Sequence, residues 1–231
     1  MIPLRDANPT QKVPVLTLTL ISVNVVVWLW ELSLEASGGL NEFVMAWAVV
    51  PAQLLRMPLA ELPTLFTAMF LHGSWGHLLG NMLYLWIFGD NVEEQLGRMR
   101  FLLFYLLTGL AATFTQVAIA PTSTLPNVGA SGAIAGIMGG YLLMFPHARV
   151  VTLIGYFVTR IPAVIVLIFW FAIQLFGGFG SLGGMQSDGG VAFFAHIGGF
   201  VAGFVLVRLF VVRRRANYPG GYPGNRLPPY Y

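Results

Sequence analysis

The sequence contains no cysteine and very little charge. Without cysteine there can be no disulfide framework, no thiolate metal site and no cysteine nucleophile. Charged residues make up 9% of the 231 positions, 12 basic and 9 acidic, against about 25% in soluble domains. That is too few to clothe a water-soluble surface, which excludes a cytosolic globular enzyme, a disordered regulator and an ordinary nucleic-acid binder. What the chain has instead is apolar mass: 57% hydrophobic residues and a mean hydropathy of +0.76. A polytopic, all-α membrane protein is the fold class this composition predicts. The net charge of +3 then reports orientation more than ligands.

A bilayer core of about 30 Å demands about 20 apolar residues of a helix. Five runs meet that demand, from Val13 to Leu34, Leu65 to Phe88, Phe101 to Ile119, Ile161 to Phe176 and Ala192 to Val212. A sixth, Ser131 to Phe145, is rich in small residues, only 15 long, and stopped by Pro146. Arg5 and Lys12 precede the first run, Arg98 and Arg100 follow the second, and Arg149 and Arg160 follow the fourth. Arg213, Arg214, Arg215 and Arg226 follow the sixth, Arg208 can snorkel to the same face, and Arg56 alone is opposite. The positive-inside rule therefore predicts six spans with both termini in the cytoplasm, as in a prokaryotic inner membrane. Residues 1–12 read as a cytoplasmic segment, 13–212 as the membrane domain, and 213–231 as a basic tail rich in Gly, Pro and Tyr. The long 34–64 connection, with apolar stretches such as Phe43 to Val50, is expected at the outer interface.

Polar groups within hydrocarbon are expensive, so those present are functional candidates. They are His72, His77 and Asn81 in or near span two, Gln116 in span three, Ser131 opening span four, Gln174 in span five and His196 in span six. At 1.5 Å per helical residue, His77, Ser131 and His196 lie roughly 17, 21 and 24 Å above the inner face, in one layer. His77 and Asn81, four residues apart, share a helix face. If span four starts at Ser131 it is too short to cross, so the chain before it dips into the membrane beside protein or a water-filled cavity. Ser131 then stands at a helix N-terminus, where free N–H groups suit an oxyanion. Gly132, Gly136 and Gly140 on span four, and Gly199 and Gly203 on span six, let two backbones approach closely. That approach would bring His196 within reach of Ser131, as a histidine base needs.

The stretches G-A-S-G-A-I-A-G around Ser131, A-H-I-G-G-F-V-A-G around His196 and H-G-S-W-G-H-L-L-G-N from His72 to Asn81 together resemble the rhomboid intramembrane serine proteases, over residues 15 to 212. The resemblance implies a six-helix bundle with a short, partly submerged fourth helix, and peptide-bond hydrolysis in transmembrane protein substrates without a cofactor or metal. It implies Ser131 as nucleophile, His196 as base, and the Ser131 N–H with His77 and Asn81 as the oxyanion site. Gly199 and Gly203 would serve packing, and Gln174 would touch substrate at the side where it enters.

Two departures stand out. No Trp-Arg pair occurs in the first outer loop, where Trp47 precedes Ala48, and Ala135 stands where many relatives have an aromatic that supports the histidine. His196 is then expected to be held by Phe193, Phe194 or a water. With Asp90 at the inner end of span two and Asp188 in an outer loop, the expected machinery is a Ser-His dyad. His72 reads as a cap or loop anchor, and His147 as a cytoplasmic loop residue. A non-catalytic relative that binds transmembrane clients is the nearest rival, and would be expected to lack Ser131 or His196. A transporter should show repeats that are not found.

Overall fold

The computed structural model describes residues 1–182 and 192–211. Asp188 and the tail from Arg213, including Arg226, lie outside the described residues. Strand β1 (Ile2–Asp6) leads into helix α1 (Val15–Ser37), then three short helices, α2 (Leu40–Trp47), α3 (Pro51–Arg56) and α4 (Thr64–Thr67). A 3-10 turn, Ala68–Phe70, precedes α5 (Trp75–Leu96), which is followed by α6 (Arg98–Ile119) and α7 (Ser131–Met144). Strands β2 (Arg149–Ile154) and β3 (Phe157–Pro162) come next, then α8 (Ala163–Leu182) and α9 (Phe193–Phe210).

Helix α7 is the hub. Eleven of its 14 residues are buried, and α5, α6, α8 and α9 pack around it. At 1.5 Å per residue it is about 21 Å long, short of a bilayer core. By length and composition α1, α6, α8 and α9 can each cross a membrane. They expose Val26, Phe114, Phe176, Val205 and Leu209, a surface suited to lipid rather than water. This is an integral, multi-pass membrane protein, mostly helical. Helix α5 is as long, 22 residues, and carries Asp90, Glu93 and Glu94 in its last two turns. Glu93 uses that position to cap a neighbouring helix. Its carboxylate accepts the backbone N–H of Leu16 at 3.0 Å and of Thr17 at 2.7 Å, and the Thr17 hydroxyl at 2.8 Å. These are orphan donors of the first turn of α1, whose N-terminal Pro14 offers no side-chain cap.

The tightest helix pairing is α7 with α9. A Cβ on Gly199 would overlap the carbonyl oxygen of Gly132, and one on Gly203 the carbonyl oxygen of Gly136. Gly139 meets the Phe200 carbonyl in the same way. Backbone lies against backbone along this seam, which a side chain at any of the three would pry apart.

Three expectations need correction. The fold is not all-α, because β1, β2 and β3 form an antiparallel sheet in that order. Residues 149–162 are dense in β-branched side chains on either side of Gly155 (φ +57°) and Tyr156, a two-residue hairpin turn between Ile154 and Phe157. The N-terminal segment supplies the third strand and is moored to the helices: Asp6 Oδ2 accepts from Tyr141 Oη at 2.9 Å and from Asn91 Nδ2 at 2.7 Å. Second, the run from Leu65 to Phe88 is not one helix. It breaks at residues 71–74, where Ser74 is extended (φ −167°, ψ 161°), and α5 continues eight residues beyond Phe88. Third, the run from Ile161 begins as strand and becomes helix only at Ala163.

Candidate active site

Ser131 is placed by the loop that precedes it. Asn127 exchanges backbone hydrogen bonds with Val49, at 3.1 and 2.8 Å, and Gly129 N–H donates to the Ala68 carbonyl at 2.8 Å. The loop is thus strapped to the turn before α5, and the next residues enter α7 with Ser131 as its first helical residue. Its N–H belongs to the first turn, where the helix itself provides no acceptor.

From the opposite side of the seam, His196 Nε2 lies 2.7 Å from Ser131 Oγ. The two residues are 65 positions apart in sequence, and the glycine contact between α7 and α9 is what brings their side chains to hydrogen-bonding distance. The third component arrives from α5. Ser74 Oγ accepts the His77 N–H at 3.1 Å, capping the helix, so that His77 and Asn81 stand one above the other on its first turns. Gly129 has φ +123°, and a Cβ there would sit 2.6 Å from His77 Nε2 and 3.6 Å from Ser131 Oγ. Glycine is required at this position on both counts, and His77 and Ser131 face the space it leaves open. A cavity of about 40 Å³ adjoins Ser131, lined also by Gly129, Gly132, Ala195 and Gln116. Gln116 Oε1 is buried there without a partner among the described residues.

Ser131 at a helix N-terminus thus meets His196 at hydrogen-bonding distance and shares the gap at Gly129 with His77. The family model of the Rhomboid domain matches residues 59–213. The chain belongs to the rhomboid family. RHOMBOID-like protein 1 of Arabidopsis thaliana is 32% identical over 173 residues, 70% of this chain and 39% of that protein. The rhomboid protein YdcA of Bacillus subtilis is 29% identical over 206 residues, 89% of this chain and 92% of its own length. Rhomboid protein 1, mitochondrial, of Saccharomyces cerevisiae is 30% identical over 138 residues, 58% of this chain and 38% of that protein. The chain spans half or less of the length of the Arabidopsis relatives it matches.

Within this rhomboid, three supporting residues stand apart from the sequence-based expectations. Gln174, expected beside substrate, is 7% exposed and turned inward, with Oε1 2.8 Å from His196 Nδ1. An aromatic near the histidine is Trp170, its ring centroid 5.8 Å from the imidazole, while Phe193 packs on Gly177. Glu31 was not singled out from the sequence at all. Buried in α1, it accepts the backbone N–H of His72, whose Nε2 lies 3.0 Å from Asn81 Nδ2. A signal existed in the spacing: Thr17, Asn24 and Glu31 recur every seven residues along an apolar helix, and all three are buried. A polar stripe of that period marks the face turned toward protein rather than lipid.

Proposed function

We propose that this rhomboid is an intramembrane serine endopeptidase that hydrolyses peptide bonds in or near transmembrane segments of membrane proteins. The observation that carries the reading is the 2.7 Å contact between Ser131 Oγ and His196 Nε2. In the reaction, the Ser131 oxygen attacks the scissile carbonyl carbon as its proton passes to His196 Nε2. The negative charge that develops on the carbonyl oxygen is met by the Ser131 N–H, at the positive end of the α7 dipole, and by His77 and Asn81 side chains. Each such donor contributes about 3 to 4 kcal/mol to the transition state. His196 then gives its proton to the leaving amine, so the acyl chain remains on Ser131. A water entering from the adjoining cavity, where Gln116 Oε1 lacks a partner among the described residues and can accept its second proton, attacks the acyl carbonyl as His196 takes a proton from it; the ester then breaks, the acid product leaves, and His196 returns the proton to Ser131 Oγ. No cofactor or metal has a role in this sequence of steps.

The topology that serves this chemistry has α1, α5, α6, α7, α8 and α9 as the six membrane elements, α7 partly submerged, and both termini in the cytoplasm of a prokaryotic cell. The basic residues Arg5, Lys12, Arg98, Arg100, Arg149 and Arg160 support that orientation, since all lie at the end of the bundle remote from Ser131. The test is cleavage of a membrane-spanning reporter combined with labelling by a fluorophosphonate. Ser131→Ala and His196→Ala should each abolish cleavage in folded protein, and the probe should map to Ser131. Cleavage that survives either substitution, or that a chelator removes, rejects the proposal.

A further inference from the structure

A neutral side chain stands behind His196. The Gln174 carboxamide on α8 has two ends, and their surroundings distinguish them. Its Nε2 points at the Trp170 carbonyl oxygen one turn back, at 3.5 Å, and a carbonyl can only accept. The end facing His196 Nδ1 at 2.8 Å is therefore the oxygen. An oxygen at that distance needs a proton on Nδ1, which leaves Nε2 bare toward Ser131 Oγ, as a general base must be.

Resting on the protease reading above, we propose that Gln174 is a positioning residue that holds His196 in its base-competent tautomer, the role a carboxylate has in a serine-histidine-aspartate triad. The choice of amide suits the surroundings. Gln174 is 7% exposed on a helix that crosses the membrane, where a carboxylate would carry a large desolvation cost. A carboxamide orients the ring without a charge to bury. It also accounts for Ala135: the support that an aromatic on α7 would provide comes from α8 instead, through Gln174 at Nδ1 and Trp170, whose ring centroid lies 5.8 Å from the imidazole at a 39° tilt. The other ionisable side chain acting on His196 among the described residues is His77 of α5.

The experiment uses the full chain in lipid and compares Gln174→Met and Gln174→Glu with the native protein. Each is assayed for kcat, KM, the rate of fluorophosphonate labelling at Ser131, and the pH profile of both. Gln174→Met should lower kcat and the labelling rate together, by about 10- to 100-fold, with KM unchanged; the loss is smaller than the about 10⁴-fold attached to a charged partner. Gln174→Glu should restore part of the rate and move the acid limb of the profile up by about one pH unit, because a carboxylate beside Nδ1 favours the imidazolium. The small probe makes no transmembrane-segment contacts, so a substrate-lining Gln174 would raise KM and leave labelling untouched, which would overturn the proposal. So would an unmoved acid limb in a folded Gln174→Glu protein. Labelling that maps away from Ser131 would remove the dyad itself and this proposal with it, whereas labelling at Ser131 that is indifferent to both substitutions removes only the role of Gln174.

Discussion

Glu31 holds the backbone N–H of His72 between its two carboxylate oxygens, at 3.2 and 3.1 Å, across 41 residues of sequence. The contact pins the segment between the 3-10 turn and α5, and from that segment the His72 ring reaches Asn81 Nδ2. His72 Nδ1 lies 3.3 Å from the Phe70 carbonyl, which only a protonated nitrogen can satisfy, so Nε2 is left to accept from Asn81. One proton of the Asn81 amide is thereby committed, and the other is aimed along a fixed direction.

Glu31→Ala should leave a buried N–H without an acceptor and cost about 1 to 3 kcal/mol. Thermal melting in detergent should show a midpoint several degrees lower, and kcat on a membrane-spanning reporter should fall with it, because Asn81 loses its reference point.

Asn81→Ala should reduce turnover by less than Ser131→Ala, with about 10²- to 10³-fold expected for one lost oxyanion donor. The Ser131 N–H and His77 remain. Kinetics on the folded variants test the apportionment, and equal, complete loss from both would contradict it.

Gly203→Ala should be far more damaging than Gly180→Ala. A methyl at 203 collides with backbone, the Gly136 carbonyl, which cannot rotate away, whereas among the described residues nothing lies within 4 Å of a Cβ at 180. Separation of α7 from α9 should lower the melting midpoint and also slow fluorophosphonate labelling, since the same seam keeps His196 on Ser131.

Asp6 gives the three-stranded sheet a pH dependence. Burial pushes its carboxyl up to about 7, the Tyr141 hydrogen bond opposes the shift, and the charge of Asp90 adds to it. Between the ordinary aspartate range and pH 7 the folded state thus binds more protons than the unfolded state. Stability should fall as pH rises through that window and level off above it. Melting curves from pH 4.5 to 8.5 should show the slope in the native protein and a flatter profile in Asp6→Asn.

Much of this molecule is legible in the sequence. Composition alone requires a bilayer, because 21 charges cannot hydrate 231 residues. The apolar run lengths locate α1, α6 and α9 to within a few residues, and Pro146 and the small residues after Ser131 mark α7 as short. Ser131, His196, His77 and Asn81 stand out because an apolar chain has few reasons to carry polar groups at one depth.

The rotation of each helix about its axis is another matter, and the tertiary structure alone decided it. Residues 131–144 are apolar on every side after the first serine, so nothing in their order says that Gly132 and Gly136 meet α9 while Thr108 of α6 covers the other flank of Gly136. Successive residues of a helix point 100° apart, and a small error in facing direction moves a side chain from lipid to core. Gln174 is the case in point: position on span five fits a substrate-lining residue as well as a partner of His196, and the choice rests on the direction α8 presents it. The sheet is the second case, since β1 and β2 are more than 140 residues apart and each strand is too short to declare itself before its partner is in place.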